Sequence, residues 1–257
     1  MKAIALPNHP AAAGKFPLVC APLVGRDRSR LLAEAAAVAA GGPDILEWRV
    51  DFFEGIGRAA EVAELTGALK QATGALPLLF TRRSAREGGQ SIGLSEAQVL
   101  ELYAAVCAAG QIDLIDYEMG NARQDVAAVR AMAHAHGVGL VLSFHDFQQT
   151  PGQATLVEKF SLARELGADV AKVAVMPRRM EDVLTLLAAT LQASQALEIP
   201  VVSMAMGALG ATTRICGAAF GSALTFAVGQ SASAPGQMPI DELSAALALL
   251  RKAGAAA

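Results

Sequence analysis

The sequence predicts a (β/α)8 barrel folded as a single domain. Three observations lead there. Runs rich in β-branched and apolar residues alternate with amphipathic helical stretches along most of the chain. These runs recur at roughly 25–37 residues, the spacing of a parallel β–α–β repeat. Eight such units in 257 residues match the size at which a parallel sheet closes on itself. A Rossmann-like open sheet is the second reading. Against it, no GxGxxG follows the first strand, where CAPLVGRDRS stands.

The first strand is read at 17–24 (PLVCAPLV), an unbroken apolar run of strand length. The second, 44–51 (DILEWRVD), alternates: Glu47, Arg49 and Asp51 share one face, Trp48 and Val50 the other. The third, 76–83 (LPLLFTRR), is apolar until it ends in two arginines, and the fourth, 113–119 (DLIDYEM), carries Asp116 and Glu118. The fifth spans 139–145 (GLVLSFH), and the sixth 170–176 (VAKVAVM). The seventh and eighth are read at 199–206 (IPVVSMAM) and 223–228 (ALTFAV). Between them lie helical stretches such as RSRLLAEAAAVAA, EAQVLELYAAVCAAG and TLVEKFSLARELG, several ending at Gly, a usual helix stop. No linker, low-complexity run or composition break divides residues 1–257. Residues 1–16 are expected to cap one end of the barrel, and 252–257 to form a loose tail.

Composition narrows the function. The chain is 53% hydrophobic and 18% charged with net charge −3, a balance that points to neither a nucleic-acid nor an anionic-membrane partner. Its three cysteines, Cys20, Cys107 and Cys216, are too far apart for a CxxC metal site or a disulfide framework. That usage suits a reducing cytoplasm. MKAIALPNHP has too short an apolar run before Pro7 for a signal peptide. No charge occurs between Arg214 and Asp241, but Gly-, Ser- and Pro-bearing pieces interrupt that stretch. Its apolar segments fall short of the roughly 20 residues of a membrane span.

Barrel enzymes place their chemistry at the C-terminal strand ends. Glu47, Arg49, Arg83, Glu87, His145, Lys172 and Arg214 all fall there, with Arg214 in the loop just after the seventh strand. Most have a structural alternative, simple solvation at a strand end for Arg82 or Arg83 among them. Glu47 and Arg49 suit an ion pair inside the barrel, and Asp116 and Glu118 suit partners for a buried base. His145 suits a hydrogen-bonded rim residue, and Lys172 a structural ion pair. His9, His134 and His136 receive no role. Convergence favours chemistry, because independent salt bridges have no reason to share one mouth. Lys172 interrupts the apolar run ADVAKVAVMP at 168–177. Burial and neighbouring cations favour the neutral amine of a lysine, the form that attacks a carbonyl to make a Schiff base. His145 is the natural acid/base and Glu87 its orienting carboxylate. Arg83 and Arg214 offer donor forks for a carboxylate or hydroxylated substrate.

Six motifs in order, EWRVD (47–51), FTRRSAREGG (80–89), SFHDF (143–147), AKVAVMP (171–177), SMAMGALG (203–210) and SASAPGQ (231–237), resemble type I 3-dehydroquinate dehydratase. The resemblance covers nearly the whole chain. It implies that Lys172 forms an imine with the C3 ketone of 3-dehydroquinate, that His145 moves the protons, and that Glu87 holds the imidazole. It also implies that Glu47, Arg49, Arg83, Arg214, Ser233 and Gln237 bind substrate, the last two from a closing lid, with Met206 and Phe226 as apolar walls. No metal or organic cofactor is implied; a homodimer in the shikimate pathway is. Pro22, Thr213 and Ala205 depart from the commonest family pattern, in each case by losing a serine. Two alternatives stand beside this reading: a class I Schiff-base aldolase acting on a small sugar phosphate, and a non-catalytic ligand-binding barrel.

Overall fold

The computed structural model describes residues 2–6, 8–9, 12 and 15–255. Its elements alternate throughout: β1 (Leu18–Leu23), α1 (Arg28–Ala40), β2 (Ile45–Arg49), α2 (Ala59–Ala72), β3 (Leu78–Thr81), α3 (Glu96–Ala108), β4 (Leu114–Glu118) and α4 (Arg123–Ala135). Then follow β5 (Gly139–Asp146), α5 (Gln153–Glu165), β6 (Val170–Val175), α6 (Met180–Ala196), β7 (Val201–Ala205), α7 (Gly207–Cys216), β8 (Leu224–Phe226) and α8 (Ile240–Ala255). Each of the eight expected strands is present; seven are trimmed at one or both ends, and β5 runs one residue further, to Asp146. Helix α8 continues to Ala255, so residues 252–255 extend a helix where the sequence suggests a tail; residues 256–257 lie outside the described part.

All strands are parallel and neighbour in the order β7-β6-β5-β4-β3-β2-β1-β8. The remaining seam, β7 to β8, is held differently. One bridge joins Val201 to Ser222, and Ala223 N–H donates to the Val201 carbonyl at 2.8 Å. Beside it Ser203 N–H donates to Ser222 Oγ at 3.0 Å, and Thr190 Oγ1 donates to Ser203 Oγ at 2.7 Å. Hydroxyls thus replace ladder hydrogen bonds and close a (β/α)8 barrel.

Strand alternation creates two apolar cores. Outward residues such as Trp48, Phe80, Ile115, Leu142 and Val173 pack under the helices. Inward residues Leu18, Cys20, Ile45, Leu79, Leu114, Val141, Val170, Val202 and Leu224 fill the barrel's lower half. Ile4, Leu6 and Ala12 of the lead-in join that inner core, so the described residues of the lead-in cover this end of the barrel. His9, assigned no role from sequence, anchors it: Asp113 takes His9 Nε2 and Lys70 Nζ, each at 2.6 Å. Capping residues set local starts. Asp27 accepts from Arg30 N–H at 2.9 Å before α1, and Ser95 with Gln98 forms a capping box at α3.

Candidate active site

Toward the C-terminal ends the barrel interior changes from apolar to ionic. Two residues on from the inner core, Ile45 gives way to Glu47, Leu114 to Asp116 and Val170 to Lys172, while Leu224 is followed by another apolar residue, Phe226. These four lie on alternate strands, the arrangement that builds one layer of a barrel interior. Lys172, 4% exposed, touches the other three. Its Nζ donates to Asp116 Oδ2 at 2.8 Å, stands 3.8 Å from Glu47 Oε1, and lies 4.8 Å from the Phe226 ring centroid. The apolar surroundings read from ADVAKVAVMP are therefore corrected. They describe its own strand, whereas β4 and β2 deliver carboxylates into the same layer.

Asp116 is the hub of this layer. It also accepts from Arg83 Nη2 at 2.7 Å and from Ser143 Oγ at 2.6 Å. Burial alone would raise its pKa, but the Arg83 and Lys172 cations outweigh that and hold it well below the usual carboxylate range. Arg83 is further fixed by donating to Ser143 Oγ at 2.9 Å and Glu118 Oε1 at 3.2 Å. The ion pair expected between Glu47 and Arg49 is replaced. Arg49 forks onto Asp51 at 2.8 and 2.9 Å, and Glu47 accepts from Thr81 Oγ1 at 3.0 Å. Asp51 is two residues further on, where the chain turns out of β2 and brings its carboxylate back to the guanidinium.

His145 and Glu87 form a pair above this layer. Glu87 Oε2 lies 2.8 Å from His145 Nδ1 and accepts the His145 backbone N–H at 3.0 Å. Burial, then the Arg83 and Lys172 charges, hold the imidazole well below its ordinary pKa. Burial, then the Glu118 charge, pushes Glu87 up to about 8. The lowered pKa favours the neutral imidazole, and Nδ1 is the ring nitrogen that Glu87 engages. Glu87 ends a short turn, Ala85–Glu87, followed by Gly88 at φ +82°. A Cβ on Gly88 would sit 2.3 Å from the Phe147 ring, and one on Gly89 2.0 Å from the Arg83 carbonyl. Two glycines are required for this close approach.

Arg214 lies within helix α7, not in a loop. GALGATTR carries no helix breaker after Gly210, and Thr213 Oγ1 accepts Ala205 N–H at 3.0 Å, tying the helix back to β7. Its guanidinium is 2% exposed and donates only to backbone, the Phe226 carbonyl at 3.2 Å and the Pro235 carbonyl at 3.0 Å. Nε has no partner, and among the described residues no carboxylate lies within 4 Å. Burial lowers its pKa to about 10, so it remains a cation at neutral pH.

The segment after β8 folds over these groups. Gln237 Oε1 accepts from Ser233 N–H at 2.8 Å, and Gln237 Nε2 donates to Ser233 Oγ at 3.2 Å, a ring closed by side chains. Arg49 Nη1 reaches the Ser233 carbonyl at 3.4 Å. The resulting space is a narrow cleft at the barrel mouth, with the segment after β8 folded over it. Every singled-out residue lines it: Glu47, Arg49, Arg83, Glu87, His145, Lys172, Met206, Arg214, Phe226, Ser233 and Gln237. Phe147, Met204 and Ala234 line it too, and Asp116 lies beneath. Strand alternation on 113–119 marks Asp116 as inward, whereas Phe147, though it ends the SFHDF motif, is assigned no role of its own from sequence.

Comparison with known proteins agrees along the whole barrel. A family model described as type I 3-dehydroquinase matches residues 19–253. A 3-dehydroquinate dehydratase of Albidiferax ferrireducens is 57% identical over 246 residues, spanning 96% of this chain and 93% of its own. The crystal structure of 3-dehydroquinate dehydratase from Geobacillus kaustophilus superposes with a TM-score of 0.91 at 49% identity, covering 93% of both chains. The type I enzyme of Clostridium difficile, solved with covalently modified comenic acid, gives 0.89 at 38% identity over 93% of this chain and 94% of its own. With the barrel, the lysine layer and the histidine–glutamate pair, these matches show that the chain belongs to the type I 3-dehydroquinase family.

Proposed function

We propose that the protein dehydrates 3-dehydroquinate to 3-dehydroshikimate through a Schiff base on Lys172, as a step of the shikimate pathway. The observation that carries the reading is the single cleft in which a lysine amine, a neutral imidazole and a guanidinium without a carboxylate partner meet. Arg214 needs an anion to complete its charge, which supports a substrate carboxylate at that end. The Lys172 ammonium gives up one proton and adds as the amine to the C3 ketone; that proton goes to the departing oxygen, which leaves as water, and the iminium remains. His145 Nε2 takes the C2 proton, and the C–H electron pair forms the enamine. The enamine then expels the C1 hydroxyl, which leaves as water with the proton that His145 returns. Addition of water to the conjugated iminium releases product and frees the amine. Glu87 keeps the imidazole oriented throughout, and Asp116 remains the counter-ion of the nitrogen.

A class I aldolase would need open backbone N–H groups after the seventh strand for a phosphate. Here Gly207 N–H is taken by the Pro235 carbonyl at 3.2 Å, so the lid occupies that position. Growth of the conjugated enone absorbance on adding 3-dehydroquinate is the expected result. No increase, with cleavage of a sugar phosphate instead, would overturn the dehydratase reading. The proposal includes a homodimer in the cytoplasm. Exposed Met180, Leu184 and Leu191 on one face of α6 support self-association, and three unpaired cysteines suit a reducing compartment. Sedimentation should give twice the chain mass; a monomer at micromolar concentration would contradict the dimer.

A further inference from the structure

The chain has two tyrosines, and they stack edge-on at 5.6 Å between centroids. Both are buried, Tyr103 on α3 and Tyr117 on the outward face of β4. Tyr117 Oη donates to Glu96 Oε1 at 2.6 Å, on the helix side. Tyr103 Oη does something different. It accepts the Arg82 backbone N–H at 3.1 Å and donates to the Asp116 backbone carbonyl at 2.6 Å. The β3–β4 ladder ends at the pair Thr81 and Asp116. The phenol oxygen therefore stands between the two strands just where their pairing stops, bonded to both.

Its two partners are significant. Asp116 is the residue whose carboxylate holds Lys172, Arg83 and Ser143. Arg82 immediately precedes Arg83 and the turn that carries Glu87. With the seam opened there, Arg82 turns outward to Glu96 at 2.6 Å while Arg83 turns inward to Asp116. Removing the hydroxyl would let the Arg82 N–H and the Asp116 carbonyl approach each other, shifting both ends of the Arg83–Asp116 contact.

We propose that Tyr103 is a positioning residue for the reaction, its hydroxyl acting as a spacer between β3 and β4 that sets Asp116, and through it the Lys172 amine. The proposal rests on Lys172 being the nucleophile toward 3-dehydroquinate. Tyr103→Phe and Tyr117→Phe form a matched pair: each keeps its ring and its place in the aromatic stack, and each loses one buried hydroxyl. Steady-state kinetics with 3-dehydroquinate and thermal midpoints are measured for wild type and both variants. Tyr103→Phe is expected to lower kcat roughly ten- to a hundredfold, since small misplacements of reacting groups have effects of that size. Its KM should stay within about threefold, because Arg214 and the segment after β8, which also face the cleft, lie on other elements. Tyr117→Phe should keep its kcat even if its midpoint falls. Equal kcat losses in both variants, or unchanged kcat in Tyr103→Phe, would overturn the proposal. So would a Tyr103→Phe protein that does not fold, which would assign the hydroxyl to folding. Without wild-type turnover the functional reading falls and this one with it; given wild-type turnover, only the variants bear on Tyr103.

Discussion

Lys172 touches three residues of its own layer, and each contact limits the amine differently. Asp116 fixes the position of Nζ, Glu47 adds a second negative charge beyond it, and the Phe226 ring excludes water from one side. Replacing Asp116 by Asn would leave two buried cations short of charge, so Asp116→Asn should lower folding stability by about 3–5 kcal/mol, measured by urea unfolding. His145 supplies a pH test. Its pKa is depressed, so the imidazole is still neutral where an ordinary one, near 6.5, is half protonated. Activity that needs the neutral base persists through that pH and falls only below it. An acid limb of kcat/KM at or above about 6.5 would contradict the assignment. His145→Ala should still form the covalent adduct but turn over roughly 10²–10⁴-fold more slowly; near-normal turnover would show that the proton carrier is elsewhere. Glu47, Arg49 and Lys172 were legible in the sequence because alternation fixed which face each occupied, whereas Ser233, Gln237, Met206 and Phe226 came only with the family resemblance. The partners of the site groups were not legible. The Arg49–Asp51 fork, the Lys172–Asp116 contact and the lone state of Arg214 depend on how strands and turns bring side chains together, which spacing along one strand does not contain.

At the scale of elements, the lid is held by backbone geometry as much as by side chains. Gly236 has φ +79°, and a Cβ there would lie 2.4 Å from the Gly207 carbonyl. Gly236→Ala should therefore displace the lid from Arg49 and Arg214. A rise in KM and faster proteolysis within 229–239 are expected; unchanged kinetics would show that closure does not use this contact. A capping change makes the opposite case. Ser95 starts α3 through a capping box, and Ser95→Ala should lower stability by about 1 kcal/mol with kcat unchanged. Strand positions were readable from apolar runs of strand length. The helix at 207–216 was not, because GALGATTR begins with glycines and small residues of weak helix propensity. Tertiary anchoring, through Thr213 to β7 and Arg214 to the Phe226 carbonyl, makes it helical.

Across the whole molecule the barrel divides its work between its ends. The N-terminal end is closed by Ile4 and Leu6 and clasped through His9, Lys70 and Asp113, while the ionizable site groups lie at the other end. Eight repeats in a chain of this length made the closed barrel readable. The hydroxyl-bridged seam between β7 and β8 was not, since Ser203, Ser222 and Thr190 look like ordinary strand and helix residues until they meet. Covalent capture of the substrate at Lys172, among all the lysines of the chain, tests the proposed mechanism most directly. Borohydride is added to protein and 3-dehydroquinate, and intact mass is followed by peptide mapping. One reduced ligand per chain is expected, on the peptide holding Lys172, and none in Lys172→Ala. Turnover of 3-dehydroquinate without any adduct, or an adduct that persists in Lys172→Ala, would contradict the Schiff-base mechanism.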